Sequence, residues 1–552
     1  MRNKNAEKRE ERSSNIKKSV VLSGLVGTGG LFVAKLLGLF YSIPLSSILG
    51  SDAYMAYYGN AYRIYNYILN ICTAGFPMAV ATVVARYKVK EDYKSLLVIR
   101  KLALAILAML GLFGMGMLMI MAGVISKIML QSDTMNSESV TIMSNLLRII
   151  SISVFLVPIL ASFRGFYQGL KEMEEYAFSQ AFEQFFRVGF MLSVSWLLVY
   201  VLGYERKWAL YAAVLSTGIA ALAGILQYIW FDRRKRPDLE TAAEAQEGEA
   251  VDRRTLTREF LVLAVPYLIS SIVGYGDDIF NTMLLPIGLR RKGYDEATRS
   301  IILSACNYVG SKLNAIPMIL APGFTAAVIP HIAGAIEKND HEMVEKNILD
   351  CLNIILFIGL PVSFCIAAYA PGIYHVLYYT ADLKTSSEVL AWNAVEGIMG
   401  TIGPVVSTIM MTVGFRKSLL RRLAINCIGK AIIIVPMVSA FGYPGAVMSS
   451  VICNGYAIIF NLKEIHDNYG VEFRPLLKTL VQLGGGLVLI FAVSRILNMA
   501  GLSAAEGGRL AGLIRLGVNG LSALAVYLVY TSYFGIPQKI FHRDFRIFRH
   551  RG

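Results

Sequence analysis

The sequence predicts an all-α polytopic membrane protein of about fourteen transmembrane helices, each near the ~20 apolar residues that cross a bilayer. Three observations carry that prediction. The chain has 552 residues, 55% of them hydrophobic and only 16% charged, with a mean hydropathy of +0.54. Long apolar runs recur from residue 19 to residue 534, where a soluble chain of this length would break into domains joined by polar linkers. Lys and Arg gather in alternate connections, with a roughly three-fold excess on the side that holds both termini, which the positive-inside rule assigns to the cytoplasm. The net charge of +15 therefore reports topology rather than a nucleic-acid partner.

Met1–Lys18 reads as a basic cytoplasmic arm and not a signal peptide, because the apolar run behind it is too long for an h-region. The first half, 19–231, holds spans at 19–49, 54–85, 102–130, 140–163, 176–202 and 208–231. The stretch 232–258, charged and rich in Ala and Glu, reads as a cytoplasmic surface linker or a short amphipathic helix. The second half, 259–462, holds spans at 259–289, 300–334, 347–370, 387–414, 418–440 and 445–462. A last pair, 479–498 and 510–534, falls within 463–534, and 535–552 is a second basic cytoplasmic tail. Pro44, Pro77, Pro266, Pro317, Pro330, Pro404 and Pro436 mark expected kinks. The halves look related: Gly75-Phe76, Ala79-Val80, Ala85, Lys90 and Asp92 recur at one constant offset as Gly323-Phe324, Ala327-Val328, Ala333, Lys338 and Asp340. Both segments close the second span of their half and run the same way across the membrane, so the repeat is a parallel one, with substrate expected at the interface between halves.

A charge at bilayer depth costs at least ~2.5–3.5 kcal/mol on insertion scales, so interior charges face a cavity or a partner rather than lipid. Lys35 and Arg63 stand inside the first two spans on polar stripes of helical period: Thr28, Lys35 and Ser42 on one, and Asn60, Arg63, Asn66, Asn70 and Thr73 on the other. Such stripes line a water-filled cavity. Span seven repeats the pattern with Ser270, Gly274, Asp277 and Asn281, flanked by Asp278, and span eight with Asn307, Ser311 and Asn314 beside Lys312. Glu183 and Arg187 read as a self-neutralising i,i+4 pair. Glu396 follows Asn393 in span ten, and Arg422, Asn426 and Lys430 share one face of span eleven. Lys430 there either reaches water at one end of the span or stands as a tethered cation paired with Asp277 or Asp278. The run Ser162-Phe163-Arg164-Gly165-Phe166-Tyr167-Gln168-Gly169 suits a tight interfacial turn between spans four and five. The six cysteines lie in apolar runs without a C-x-x-C pair and the six histidines lack ligand spacing, so neither a metal site nor a cofactor is expected.

That run, with Ser179-Gln180, Glu183-Gln184 and Arg187 behind it and with Lys35-Leu36-Leu37-Gly38, Ile43-Pro44-Leu45 and Thr73-Ala74-Gly75-Phe76-Pro77 before it, resembles the stage V sporulation protein B group of polysaccharide exporters. These are relatives of the lipid II flippase in the MOP exporter superfamily. The resemblance implies two six-helix lobes forming a V with the last helix pair packed outside. It also implies carriage of an undecaprenyl-pyrophosphate-linked sugar to the outer leaflet of a bacterial plasma membrane, with cavity cations meeting the pyrophosphate. Lys35 matches the family's cation. Ser42 stands where the family has an arginine and Arg63 where it has an uncharged residue, as though a cation had moved from span one to span two. Sodium-binding relatives place an Asn and then an Asp on span eleven, where this chain has Asn426 and Lys430.

The expected function is thus a flippase acting by alternating access: a diphosphate must cross hydrocarbon, and buried Lys and Arg offset its desolvation. Lys35, Ser42, Arg63, Asn70, Arg187 and Lys312 are the expected substrate contacts. Asp277, Asp278, Asn281, Glu396, Asn426 and Lys430 are the expected coupling residues. The partners are the lipid-linked oligosaccharide and membrane lipids, the protein acting as a monomer. The alternative is a multidrug antiporter of the same superfamily, which would favour carboxylates over cations in the cavity. A membrane enzyme would carry its catalytic groups in sizeable outer loops, which this sequence lacks.

Overall fold

The computed structural model describes residues 41–541 except 74–75, 131–136, 171, 275, 319–331, 333–334 and 337–338. Among the described residues the regular structure is entirely helical. The first half contains α1 (Ser42–Leu49), α2 (Asp52–Thr73), α3 (Phe76–Val89), α4 (Tyr93–Leu130), α5 (Glu138–Gly169), α6 (Met173–Trp196, continued by a π turn Leu197–Val201) and α7 (Arg206–Glu244). Then come α8 (Arg253–Gly274), α9 (Gly276–Lys292), α10 (Glu296–Ser304), a π turn Ala305–Gly310 and α11 (Ser311–Met318). The chain continues with α12 (His341–Ala368), α13 (Ala370–Leu377), α14 (Leu383–Thr412), α15 (Arg416–Phe441), α16 (Tyr443–Tyr469), α17 (Arg474–Leu497), α18 (Arg509–Tyr533) and α19 (Ile536–Phe541). Among the described residues ten helices are long and apolar enough to cross a bilayer. They coincide with expected spans three to six and nine to fourteen. The other expected spans, 19–49, 54–85, 259–289 and 300–334, each include residues outside the described set, and Lys35 itself lies outside it.

The chain divides into two compact units. Of the described residues, the first takes in 41–48, 64–127 and 137–274, and the second 49–63, 128–130 and 276–541, so that α2 contributes to both, Arg63 being the last residue of its part in the second. In the first unit, α3, α4, α5, α7 and α8 share a core around Val80, Val84, Leu160, Tyr167 and Tyr228. Helix α8, which the sequence reading gives to the second half, packs on α3 through the Phe76 and Phe260 rings, 5.6 Å apart, and an Arg86–Glu259 ion pair of 3.5 Å. In the second unit, α12, α14, α17 and α18 share a core containing Ile355, Phe357, Val406, Ile490 and Tyr527. The last helix pair is fastened there by Tyr527 OH, which donates to Phe357 O at 2.7 Å.

The stretch 232–258, expected as a surface linker or a short amphipathic helix, is helical over its first half: α7 runs on to Glu244 through Pro237, leaving a short connection before α8. This extension is anchored to the 90–95 turn, with Gln246 Nε2 donating to Asp92 Oδ1 (3.0 Å), Lys94 Nζ to Gly248 O (2.7 Å) and Val251 N to Ser95 Oγ (2.8 Å). One expectation is corrected: the Ser162–Gly169 run is not a turn but the end of α5. Its glycines, four apart on one face, let α5 approach α3: a Cβ on Gly165 would lie 2.6 Å from Pro77 O, and one on Gly169 2.6 Å from Val84 Cβ.

The internal repeat appears in backbone geometry. Glu91 and Asn339, at the offset of the sequence repeat, both take positive φ, 57° and 54°. Around Glu91, Glu91 N donates to Lys88 O and Asp92 N to Tyr87 O, both at 3.1 Å. Asn339 N donates to Ile336 O and Asp340 N to Ala335 O, both at 3.0 Å. Asp92 and Asp340 then cap the next helix alike, their Oδ1 atoms accepting from Ser95 N and Met343 N at 3.0 Å. Burial works against the charge on Asp92, but hydrogen bonds from Ser95 and Gln246 outweigh it and hold that carboxyl below its ordinary range.

Candidate functional site

Each unit carries a set of buried charged groups. In the first, Arg100 of α4 grips Asp232 of α7 through two nitrogens, Nε reaching Oδ1 at 2.9 Å and Nη2 reaching Oδ2. Tyr167 OH donates to the same Oδ1 at 2.7 Å, so the carboxylate ties α4, α5 and α7 together. One turn back on α5, Arg164 Nη2 donates to Glu183 Oε2 (2.7 Å) and Ser179 Oγ (3.1 Å) of α6. Glu183 is therefore partnered by Arg164 and not simply self-neutralised with Arg187; the short arginine-to-carboxylate path between neighbouring helices gives a two-helix clamp. Arg187, half-buried, lies over the Tyr41 ring at 5.6 Å from its centroid. Ser42 beside it is buried and Asn70 half-buried.

In the second unit a polar ladder joins α15 and α16. Arg422 Nη1 reaches Asn461 Oδ1 (2.8 Å) and Glu464 Oε2 (2.5 Å). Asn426 Nδ2 donates to Asn454 Oδ1 at 2.8 Å. Lys430, one turn on, is fully buried, its ammonium donating to Ala446 O (3.0 Å), Ser449 Oγ (2.9 Å) and Ser450 Oγ (2.5 Å). This excludes the reading in which Lys430 reaches water, because the opening of α16 closes over its side chain. Asn281 of α9 is also buried. Asp277 and Asp278 fall on α9, but their side chains, and with them the expected pairing to Lys430, lie outside the described residues.

The ladder continues into α14. Ser450 Oγ donates to Glu396 Oε1 at 2.9 Å, and Asn393 Nδ2 lies 3.3 Å from Glu396 Oε2 and 2.7 Å from Tyr443 OH. Asn314 Nδ2 of α11 donates to the Asn393 Oδ1 at 2.7 Å. The Cys306 thiol sits 3.6 Å from Asn393 Nδ2 and 4.0 Å from Arg63 Nη2, bringing α2 into the set. Close backbones make room for it: a Cβ on Gly59 would lie 2.7 Å from the Asn307 carbonyl carbon, and one on Gly310 2.3 Å from Asn393 Oδ1. At the same junction Asn307 Nδ2 donates to Asn60 Oδ1 at 2.5 Å. Lys312, on the next helix, is half-buried. At the start of α2, burial pushes the Asp52 carboxyl above its ordinary range, offset in part by the Ala381 N–H at 2.8 Å.

The structure thus joins Arg63, Glu396 and Lys430 of the expected site residues in one network of the second unit, and sets Arg187 and Ser42 in the first. It adds residues that the spacing argument passed over: Asn393, Ser450, Tyr443 and Cys306 in the second unit, Arg100, Arg164, Tyr167 and Asp232 in the first. The adjacent Ser449-Ser450 within an apolar run and Asp232 at the end of another were the available signals.

Comparison with known proteins places this architecture. The sequence profile of the family described as polysaccharide biosynthesis protein matches residues 20–336. The lipid II flippase MurJ of Bacillus subtilis (strain 168) is 25% identical over 537 residues, covering 95% of this chain and 98% of that protein. Stage V sporulation protein B of the same organism is 20% identical over 359 residues, covering 65% of this chain and 67% of that protein. Among solved structures, lipid II flippase MurJ in an inward closed conformation matches with a TM-score of 0.66 at 15% identity, over 94% of this chain and 100% of that one. The profile spans more than half of the sequence, and this multi-pass membrane protein belongs to the polysaccharide biosynthesis protein family.

Proposed function

We propose that the protein is a flippase that moves an undecaprenyl-pyrophosphate-linked sugar, with lipid II as its first candidate, across the bacterial plasma membrane by alternating access. The observation that carries this reading is end-to-end similarity to a lipid II flippase, 95% of one chain against 98% of the other. The chemistry supports it: Arg63, Arg187 and Lys312 are cations in the apolar part of the chain, each half-buried, and a diphosphate needs such groups in place of water. In this reading Lys35, Ser42, Arg63, Asn70, Arg187 and Lys312 face the headgroup. Asp277, Asp278, Asn281, Glu396, Asn426 and Lys430 couple its movement to an energy source. The protein has about fourteen spans in two six-helix lobes and an outer pair. It works as a monomeric transporter, not an enzyme, with both termini and the 232–258 segment in the cytoplasm.

The test is rescue of a bacterial strain depleted of its lipid II flippase, scored beside a strain lacking a capsule or teichoic-acid flippase. Growth of the first supports lipid II; growth of the second alone moves the substrate to another lipid-linked glycan; rescue of neither refutes the reading. Lys35→Ala and Arg63→Ala should abolish rescue at normal protein abundance, and full activity of the double variant would remove both from the site. Cysteine labelling from outside intact cells at an introduced residue 245 would refute the topology.

A further inference from the structure

Arg63, Glu396 and Lys430 all lie within electrostatic reach of the Cys306 thiol. Glu396 is linked to both cations but touches neither through a described hydrogen bond. On one side Ser450 stands between: its hydroxyl oxygen accepts from the Lys430 ammonium at 2.5 Å and its proton goes to Glu396 Oε1 at 2.9 Å. On the other, Asn393 reaches Glu396 Oε2 at 3.3 Å and Cys306 Sγ at 3.6 Å, with Arg63 Nη2 4.0 Å beyond that sulfur. A serine hydroxyl has a single proton, so this order of donors requires an acceptor at the carboxyl end. An ionisable side chain inside a membrane protein is a functional group by default, because permanent burial of charge stabilises poorly.

We infer that Glu396 is a proton-binding site of the protein, and that the Ser450–Lys430 pair is the group that senses whether the proton is bound. The inference deepens the transport reading and rests on it for its purpose. With Glu396 ionised, its charge balances Lys430 through one hydroxyl and the chain Nζ–H···Oγ–H···Oε1 is complete. Uptake of one proton from water forms the O–H bond of the neutral acid, and the network gains one positive charge. Ser450 then loses its charged acceptor, and Lys430 keeps Ala446 O and Ser449 Oγ. The change falls where α14, α15 and α16 meet, so it biases the packing of three spans at once. Among the described residues, the charged and titratable groups that share this network are Lys430 of α15, Tyr443 of α16, Cys306 of the π turn and Arg63 of α2; α11, packed on α14, carries Lys312, and α9, packed on α15, carries Asp277 and Asp278, whose side chains lie outside the described residues.

The test is infrared difference spectroscopy of the full-length protein in lipid nanodiscs through a pH titration, reading the C=O stretch of protonated carboxyls. Glu396→Gln should remove one titrating band. Lys430→Met should raise its midpoint by about one pH unit or more, because loss of a nearby cation favours the neutral acid. Ser450→Ala should raise it less, through loss of one hydrogen bond to the carboxylate. The inference is overturned if every titrating band survives Glu396→Gln, or if Lys430→Met and Ser450→Ala leave the midpoint in place. Ser450→Ala, a one-atom deletion, decides the matter if Glu396→Gln fails to fold. Translocation of lipid II in vesicles is read in parallel. The band with no translocation supports the proton site and counts against the substrate; translocation without the band overturns the proton site alone.

Discussion

The buried charges of the two units are built on different plans. In the first, Arg100 meets Asp232 directly through two nitrogens and Tyr167 completes the carboxylate's contacts. In the second, a hydroxyl separates Lys430 from Glu396, and an amide and a thiol lie between Glu396 and Arg63. A direct fork leaves little to rearrange, and it joins helices that also share a core. An indirect link holds the charges close while leaving each able to change partner. The difference teaches that buried charge fastens helices directly in one unit, and in the other is linked only through intervening polar side chains.

Removing one member of each set tests that contrast most severely. Arg100→Met leaves Asp232 buried without its cation and should cost about 3–5 kcal/mol, seen as loss of the folded protein in detergent thermal melts. Lys430→Met should cost less, because Ser450 retains Glu396 as its acceptor; an equal loss would break the comparison. Next in size, Gly169→Val drives a branched side chain into Val84 across α3 and α5, where overpacking typically costs about 1–3 kcal/mol. Ser450→Ala should change stability by only about 0.5–1.5 kcal/mol, a single hydrogen bond, while transport activity falls far more. If activity follows stability in step, the second set is structural like the first.

Three smaller effects use the repeated turn. Asp92 has a carboxyl held below its ordinary range, so it contributes stability above the carboxyl pKa of the unfolded chain and loses it as pH falls through the lower folded value. Asp92→Asn should therefore flatten the acid limb of a stability profile between about pH 5 and pH 2, by an amount kept small by its exposure. Smallest of all, Glu91→Gly should stabilise the protein by about 0.5–1 kcal/mol, because a left-handed backbone strains glutamate and suits glycine. Asn339→Gly should do less, asparagine tolerating that conformation well.

Much of the architecture was determined by the sequence alone. Apolar run length is a local property, and ten expected spans coincide with single helices. The repeat was legible because Asp92 and Asp340 each cap a helix after a tight turn, which a few adjacent residues specify. Lys430 and Glu396 stood out because a charge within an apolar run is visible without any partner. What the tertiary structure decided is partnership. Glu183 had an arginine one turn away on its own helix, yet Arg164 of α5 holds it. Gly165 and Gly169 looked like turn residues, and only the presence of α3 at 2.6 Å explains them. The reach of α7 to Glu244 depends on anchorage to a distant turn by Gln246 and Gly248. Asn393 and Ser450 are ordinary polar residues until three helices converge on them, since hydrogen bonds between helices depend on which faces meet, and periodicity along one helix does not encode the face of another.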